Sequence, residues 1–127
     1  MSEDAWILGK WNMLDDFTEK PEAIIQFEKH NDVIEGKIIE TFPDPEDEPV
    51  DKCKPCLGED KNKPIIGLKV FKQLRMNLKK ELEGKVLDPD SGKIYKCKLT
   101  LLKDHRIELH VTVNLIISQD RYLSPLY

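Results

Sequence analysis

The sequence predicts an all-β fold: a small antiparallel up-and-down β-barrel of about eight strands, formed as one domain by residues 1–127. Between residues 107 and 117 every odd-numbered position is aliphatic, and four of the five residues between them are polar. This alternation is typical of a strand with one buried face. At about 3.3 Å per residue the strand would be roughly 36 Å long, and such a strand has to bend around a closed sheet. The run 95–101 alternates in the same way, and the polar bend 103–106 joins both runs into a hairpin.

Three further strands are predicted in the first third of the chain, at 7–13, 23–28 and 33–42. In the first of them, Gly9 lets another chain segment approach the indole of Trp11 closely. In the third, Gly36 lies in the middle of the strand and predicts a bulge or sharp bend of the kind that barrels use at corners.

The periodicity stops between residues 43 and 64, where five prolines and two cysteines lie among many charges. A loop of this length is typical of a lid, a binding element or a long connection that is fixed to the domain surface. Strand character resumes at 65–71, and the run 71–80 fits either a strand or one short helix, because its apolar residues also share a helical face. The remaining predicted elements are a strand at 83–87, a tight turn at 88–93 and a last strand at 121–123.

Composition limits the classes of function. The chain is 39% hydrophobic and 35% charged, which fits a globular protein of one domain. No apolar run approaches the roughly 20 residues that span a bilayer, so the protein is not predicted to be membrane-spanning. A net charge of −4 argues against a nucleic-acid partner, which requires a dominant basic face. The first residues do not form a secretory signal, but an exported mature domain would begin in the same way.

The Cys53-Lys54-Pro55-Cys56 motif allows three interpretations. Thiol–disulfide catalysis is disfavoured because no helix start follows the motif to lower a thiolate pKa. A zinc site requires four ligands, and Cys53, Cys56 and Cys97 would need one of the histidines His30, His105 or His110 as the fourth. A local structural disulfide between Cys53 and Cys56 is favoured if the protein is exported, with Cys97 left as a buried apolar side chain.

Other chemical motifs are weak. Residues 88–92 resemble a fragment of a calcium loop but lack the twelfth-position ligand, so a turn is expected. His105 lies in a turn and His110 on a polar strand face, and neither has a nucleophile beside it. No phosphate loop or nucleophile motif is present. The sequence therefore predicts a protein that is not an enzyme, with no cofactor and no metal.

The opening strand resembles that of the lipocalins and other calycins. Gly9-Lys10-Trp11 matches their Gly-x-Trp motif, in which the Trp plugs one barrel end beneath an arginine of the last strand. The resemblance implies that Gly9, Trp11 and Arg121 close the barrel. Packing of Arg121 on Trp11 would be a cation–π contact of up to about 2 kcal/mol.

A longer resemblance covers most of the chain. The motifs that carry it are Gly9-Lys10-Trp11, Ile34-Glu35-Gly36-Lys37-Ile38, Cys53-Lys54-Pro55-Cys56, residues 62–68 and residues 87–97. In this order they resemble an uncharacterised bacterial family of lipocalin-like barrels that are usually exported to the periplasm or secreted. The C-terminal third departs from that family's pattern. Of the residues that the family usually has there, only Arg121 is present. The resemblance implies the fold and the compartment more than the function.

The leading functional prediction is an exported, non-enzymatic lipocalin-like barrel, monomeric or homodimeric, that binds a small hydrophobic or amphipathic molecule in its interior. The predicted lining residues are Phe27, Ile38, Tyr95, Leu99, Leu109, Val111 and Val113, with Tyr95 as a polar handle. The same side chains would equally form a filled core. The alternative is a protein-interaction module with a filled barrel, whose loop 43–64 or basic segment 69–80 contacts a partner.

Overall fold

A computed structural model describes residues 4–48 and 50–126. Eight antiparallel strands form a closed barrel in chain order, and the last strand pairs with the first. The predicted fold class is therefore confirmed. The strands are β1 (Gly9–Leu14), β2 (Pro21–His30), β3 (Val33–Thr41), β4 (Lys69–Met76), β5 (Leu82–Leu87), β6 (Ile94–Leu101), β7 (Ile107–Thr112) and β8 (Ser118–Pro125).

The up-and-down order places the connections alternately at two ends of the barrel. We call one of them the loop end; it carries the β1–β2, β3–β4, β5–β6 and β7–β8 connections at 15–20, 42–68, 88–93 and 113–117. The other, the turn end, carries the shorter remaining connections and a 3-10 turn at Ala5–Ile7. Among the described residues no helix has the length and apolarity that are needed to cross a bilayer.

The barrel interior is built from side chains that alternate inward along each strand. Cross-strand partners share a face, so pairs such as Leu99 with Leu109 meet inside the barrel. The rings of Phe27 and Phe71 lie 5.1 Å apart between their centroids and fill the centre. Gly36 is the residue that makes room for them, because a Cβ there would lie 2.7 Å from Cε1 of Phe27. The pairing of β3 with β4 shifts register on both sides of Gly36, which confirms the predicted bulge.

The prediction of one continuous strand over 107–117 is wrong. β7 ends at Thr112, and residues 113–117 form the hairpin connection to β8. Asn114 causes the reversal, because its side-chain oxygen accepts hydrogen bonds from the backbone N–H groups of Ile116 and Ile117 at 2.8 and 2.9 Å. The aliphatic alternation simply continues through a turn, and its last members are exposed.

Other predicted boundaries change as well, among them the first strand, which begins at Gly9 rather than at residue 7. The strand predicted at 65–71 begins only at Lys69, as β4. The ambiguous run 71–80 is strand to Met76 and then a turn, in which the side chain of Asn77 accepts hydrogen bonds from two backbone N–H groups. In the described residues the only helical turns are the two short 3-10 segments, Ala5–Ile7 and Gly58–Asp60. The last strand, predicted at 121–123, extends over Ser118–Pro125.

The connection 42–68, called the long loop below, is fixed to the barrel by several contacts. A disulfide joins Cys53 to Cys56, and both cysteines are buried. The sulfur of Cys53 lies 3.6 Å from the carbonyl oxygen of Pro89 in the β5–β6 turn. Asp60 forms ion pairs with Lys72 of β4 and Lys63. The long loop is thereby held against β4 and the β5–β6 turn.

Candidate functional site

The structure brings five of the seven predicted lining residues together inside the barrel. Phe27, Ile38, Leu99, Leu109 and Val111 are buried members of one hydrophobic cluster. Tyr95 is half-buried at the loop-end part of the interior, where it pairs with Val86. Val113 was predicted to point inward, and this is wrong, because β7 has already ended and the side chain is exposed in the hairpin connection.

The two halves of the interior differ in how completely they are filled. Toward the turn end, most inward side chains expose 2% of their area or less, although Trp11 exposes 7%; they include Phe27, Ile34, Leu74, Leu82, Leu99, Ile107 and Leu123. Toward the loop end, five inward side chains retain 5–9%, namely Met13, Ala23, Ile38, Cys97 and Val111. We call this second group, together with Tyr95 and Arg121 at its rim, the mouth. Among the predicted lining residues that are buried, the residual exposure of Ile38 and Val111 lies at the mouth.

Arg121 holds the rim of the mouth. It pairs with the inward-facing Leu109 across β7 and β8, which directs it to the same face. One guanidinium nitrogen donates a hydrogen bond to the carbonyl oxygen of Leu14 at 3.2 Å and binds the carboxylate of Glu22. Its Nε lies 2.9 Å from Oδ1 of Asp16. One cation is thus shared by two carboxylates and one backbone carbonyl.

The surroundings shift the pKa values of both partners. Burial raises the pKa of Glu22 above its ordinary value, although the charge of Arg121 opposes this shift. Burial also disfavours the charge of Arg121, but the carboxylates of Glu22 and Asp16 outweigh it and raise the pKa of the guanidinium. The rim therefore keeps a permanent cation beside a Glu22 carboxylate whose pKa is raised.

The predicted packing of Arg121 on Trp11 is wrong. The guanidinium faces Glu22 and Asp16 at the loop end, whereas the indole N–H of Trp11 donates to the carbonyl of Ile7 at 2.8 Å. In the described residues the cation–π contact is a different one, with the guanidinium of Arg106 over the ring of Tyr122. Trp11 itself is buried beside the 3-10 turn. Gly9, the first residue of β1, has a φ of 109°, a value that favours glycine.

Two clefts of the described residues lie outside the barrel. The larger, about 380 Å³, runs beside β1 and the end of β8 and is lined by Trp6, Leu8, Lys10, Trp11, Pro125 and Leu126. The smaller, about 50 Å³, is lined by polar and charged residues of β2, β3 and β4. Neither cleft is formed by the predicted interior residues.

Among residues 4–48 and 50–126, no group of three or more His, Cys, Asp or Glu side chains could hold a metal ion. Cys97 is free and buried, and burial raises the pKa of its thiol to about 12, which keeps it protonated and unreactive. Cys53 and Cys56 use both sulfurs in their disulfide, so the zinc set drawn from all three cysteines is not formed. His110 lies on the outer face, 2.6 Å from Asp120.

The segments of the alternative prediction are engaged in contacts within the chain. In the basic segment 69–80, Lys69 pairs with Glu35 and Lys72 with Asp60. The loop 43–64 is fixed by the disulfide and by the β5–β6 turn, where a Cβ on Gly92 would overlap the backbone of Pro55. Partner binding by either segment stays a prediction.

Sequence reasoning missed Met13, Ala23, Glu22 and Asp16 as parts of this site. Met13 carried a signal, because it continues the alternation of Trp11 on the first strand. The two carboxylates carried none: they lie in and beside a polar turn, and only the closure of β8 on β1 brings Arg121 to them.

Comparisons with known proteins agree with the fold. A family model described as "Uncharacterized protein conserved in bacteria (DUF2147)" matches residues 9–122. The solved structure of protein HP1028 from Helicobacter pylori, described as belonging to the lipocalin family, is similar with a TM-score of 0.76 and 15% identity. The similarity covers 95% of this chain and 83% of that one. No curated protein matches the sequence.

Proposed function

Because the chain belongs to the DUF2147 family of proteins conserved in bacteria and has a lipocalin-like fold, we propose that it is a non-enzymatic binding protein whose barrel mouth holds a small amphipathic molecule. The observation that carries this proposal is the residual exposure, 5–9%, of five inward side chains at the loop end of the interior. Small-molecule sites are typically apolar walls with a few fixed polar groups. Ile38, Cys97 and Val111 supply the wall here, and Tyr95 and Arg121 supply the polar groups.

The filled turn-end half restricts how deep a ligand enters. Phe27 and Phe71 block the barrel below the mouth, and the neighbouring inward side chains are fully buried. A long acyl chain that lies along the barrel axis would have to displace these rings. The proposed ligand therefore places a short apolar part against the mouth and leaves its polar head at the rim.

The charge of the loop end favours a neutral or positive head group. The four connections at this end contain twelve acidic and six basic residues, although the whole chain has a net charge of only −4. At the rim itself, two carboxylates share the single guanidinium of Arg121. An anionic head would meet this excess of carboxylates at close range, where repulsion is weakly screened.

Export to the periplasm or out of the cell is part of the proposal. The Cys53–Cys56 disulfide supports it, because such bonds persist mainly in oxidising compartments. Action without catalysis is proposed because the rim offers an ion-paired arginine but no activated nucleophile within the described residues.

Isothermal titration with three short amphiphiles tests the proposal. Decyltrimethylammonium, decyl maltoside and decanoate share the same chain length and differ in head charge, and all are used below their micelle concentrations. We expect saturable 1:1 binding of the first two, with decanoate at least about tenfold weaker, which corresponds to about 1.4 kcal/mol.

Filling the mouth should remove this binding. Ala23→Met adds apolar volume between the mouth side chains, and Gln26→Met places the same side chain on the outward face of the same strand as a control. Both variants must show the circular dichroism of the parent chain. Unchanged binding in Ala23→Met, or no binding of any amphiphile to the parent chain, would contradict the proposed site.

A further inference from the structure

Exposed apolar side chains are concentrated at the loop end. Of the fourteen large hydrophobic residues that are exposed in the described part of the chain, ten lie in or next to the loop-end connections. They are Phe17, Phe42, Val50, Leu57, Ile66, Ile94, Val113, Leu115, Ile116 and Ile117. Single exposed hydrophobic residues are common, but a concentration at one end of a domain marks an interaction surface.

Two adjacent hairpins carry the three most exposed members of this set, Leu115, Phe17 and Ile116. Phe17 lies at the tip of the β1–β2 connection, and Leu115, Ile116 and Ile117 lie at the tip of the β7–β8 connection. Because β8 pairs with β1, these two connections are neighbours around the barrel. We call these four residues the apolar tips.

Both tips are held in a fixed outward shape by the same kind of turn. Oδ1 of Asp15 accepts hydrogen bonds from the N–H groups of Phe17 and Thr18 at 2.9 and 3.0 Å. Asn114 does the same for Ile116 and Ile117. Turns of this kind usually present polar side chains. The turns at Asp15 and Asn114 instead expose aromatic and aliphatic side chains. Such exposure lowers solubility unless the side chains contact a hydrophobic environment.

Charge indicates which environment this is. Residues 111–119 contain no charged side chain, in a chain that is 35% charged. Beside Phe17, the carboxylate of Asp15 is committed to its turn and that of Asp16 to Arg121. The β7–β8 tip can therefore enter a medium of low dielectric constant without burying a charge. In the β1–β2 connection, Phe17 projects beside the exposed Glu19 and Lys20, whose charges would have to remain in water.

The size and shape of the tips favour lipid over protein. A stable protein interface uses about 20–30 residues on each side, whereas the tips offer four apolar side chains on two projecting turns. Insertion of a few side chains into the head-group region of a bilayer requires no matching concave surface. We propose that the apolar tips dock the barrel, loop end first, onto a zwitterionic lipid surface. The acidic excess of the loop end argues against strongly anionic lipid.

Vesicle flotation of the full chain with phosphatidylcholine vesicles tests this proposal. The test variant combines Leu115→Asn with Ile116→Ser, and the control is Leu78→Asn, which changes an equally exposed leucine at the turn end. We expect the parent chain and the control to float with the vesicles. The test variant should lose at least about tenfold in its partition coefficient, since each large aliphatic side chain is worth roughly that factor on full burial.

A reporter at the second tip gives independent evidence. Phe17→Trp should show a blue-shifted emission and quenching by brominated phosphatidylcholine, whereas Leu78→Trp should show neither. Three results would overturn the proposal: no flotation of the parent chain, equal flotation of the Leu115→Asn, Ile116→Ser variant, or loss of self-association in that variant without any vesicle binding. The last would show that a second copy covers the tips. Amphiphile binding in the mouth is measured without vesicles, so either proposal can fail alone.

Discussion

The guanidinium of Arg121 on β8 binds the carboxylate of Glu22 on β2, across the intervening strand β1. This ion pair and the second pair with Asp16 fasten the β1–β2 connection to the base of the β7–β8 hairpin. Arg121 therefore holds the rim of the mouth in place and also connects the two hairpins that carry the apolar tips. The same residue had been expected to close the opposite end of the barrel, on Trp11.

Glu22→Gln should alter the pH dependence of stability. Burial raises the pKa of Glu22 in the folded state above its ordinary value of 4.5, so the folded protein binds this proton more tightly than the unfolded chain. Stability from this group is present below pH 4.5 and is lost as pH rises through the folded pKa. Compared with Glu22→Gln, the parent chain should therefore lose stability as the pH rises from 4.5 through the folded-state pKa of Glu22.

Urea unfolding at several pH values between 4 and 7 measures this difference. Two parallel stability profiles for the parent chain and Glu22→Gln would contradict it. Profiles that diverge in the opposite direction would mean that the pair with Arg121 outweighs burial.

Gly36→Ala should destabilise the barrel by about 1–3 kcal/mol, the usual cost of overpacking a core. The added Cβ would lie 2.7 and 2.9 Å from two atoms of the Phe27 ring. Replacing that ring by a smaller side chain should relieve the clash. In chemical unfolding, the double variant Gly36→Ala, Phe27→Leu should therefore cost less than the sum of the two single changes, and simple additivity would contradict the packing described above.

Gly92→Ala should cost more stability than Gly58→Ala, although both glycines have positive φ values of 75° and 60°. A Cβ at Gly92 would overlap the backbone of Pro55, whereas none of the surrounding atoms lies within 4 Å of one at Gly58. Backbone strain alone is worth about 1 kcal/mol, and the clash at Gly92 should add a further 1–2 kcal/mol. Thermal unfolding compares the two variants, and equal losses would show that the long loop is not packed on the β5–β6 turn.

Thiol titration tests the cysteine assignment. At pH 8 the folded, unreduced protein should react with no equivalent of a thiol reagent, because Cys97 is buried with a pKa of about 12 and the other two cysteines form a disulfide. After denaturation without reductant, one equivalent should react, and with reductant three. A reactive thiol in the folded protein would contradict either the burial of Cys97 or the disulfide.

Alternation along the strands allowed the fold to be predicted, since it depends only on which residues face the core. It failed at residues 113–117, where aliphatic residues at odd positions extend past the turn that Asn114 makes. An alternating pattern of aliphatic residues looks the same whether the chain continues as a strand or enters a turn that exposes them. Those side chains became evidence of an interaction surface only when the turn was located.

The site was less predictable for a related reason. Inward residues could be identified from the pattern, but whether they line a cavity or fill the barrel depends on packing across it. Phe27 and Phe71 come from β2 and β4, and Gly36 lies between them. The partners of Arg121 depend on the register in which β8 closes on β1, which the alternation of residues does not specify.

Chemical-shift mapping with decyltrimethylammonium tests the central claim most directly. We predict saturable shifts of the backbone amides of Ile38, Cys97 and Val111, with little change at Phe27, Leu82 and Leu99 in the filled half. Shifts confined to the outer cleft beside Trp6, Leu8 and Leu126 would contradict binding in the mouth, and the absence of saturable shifts would contradict small-molecule binding by this barrel.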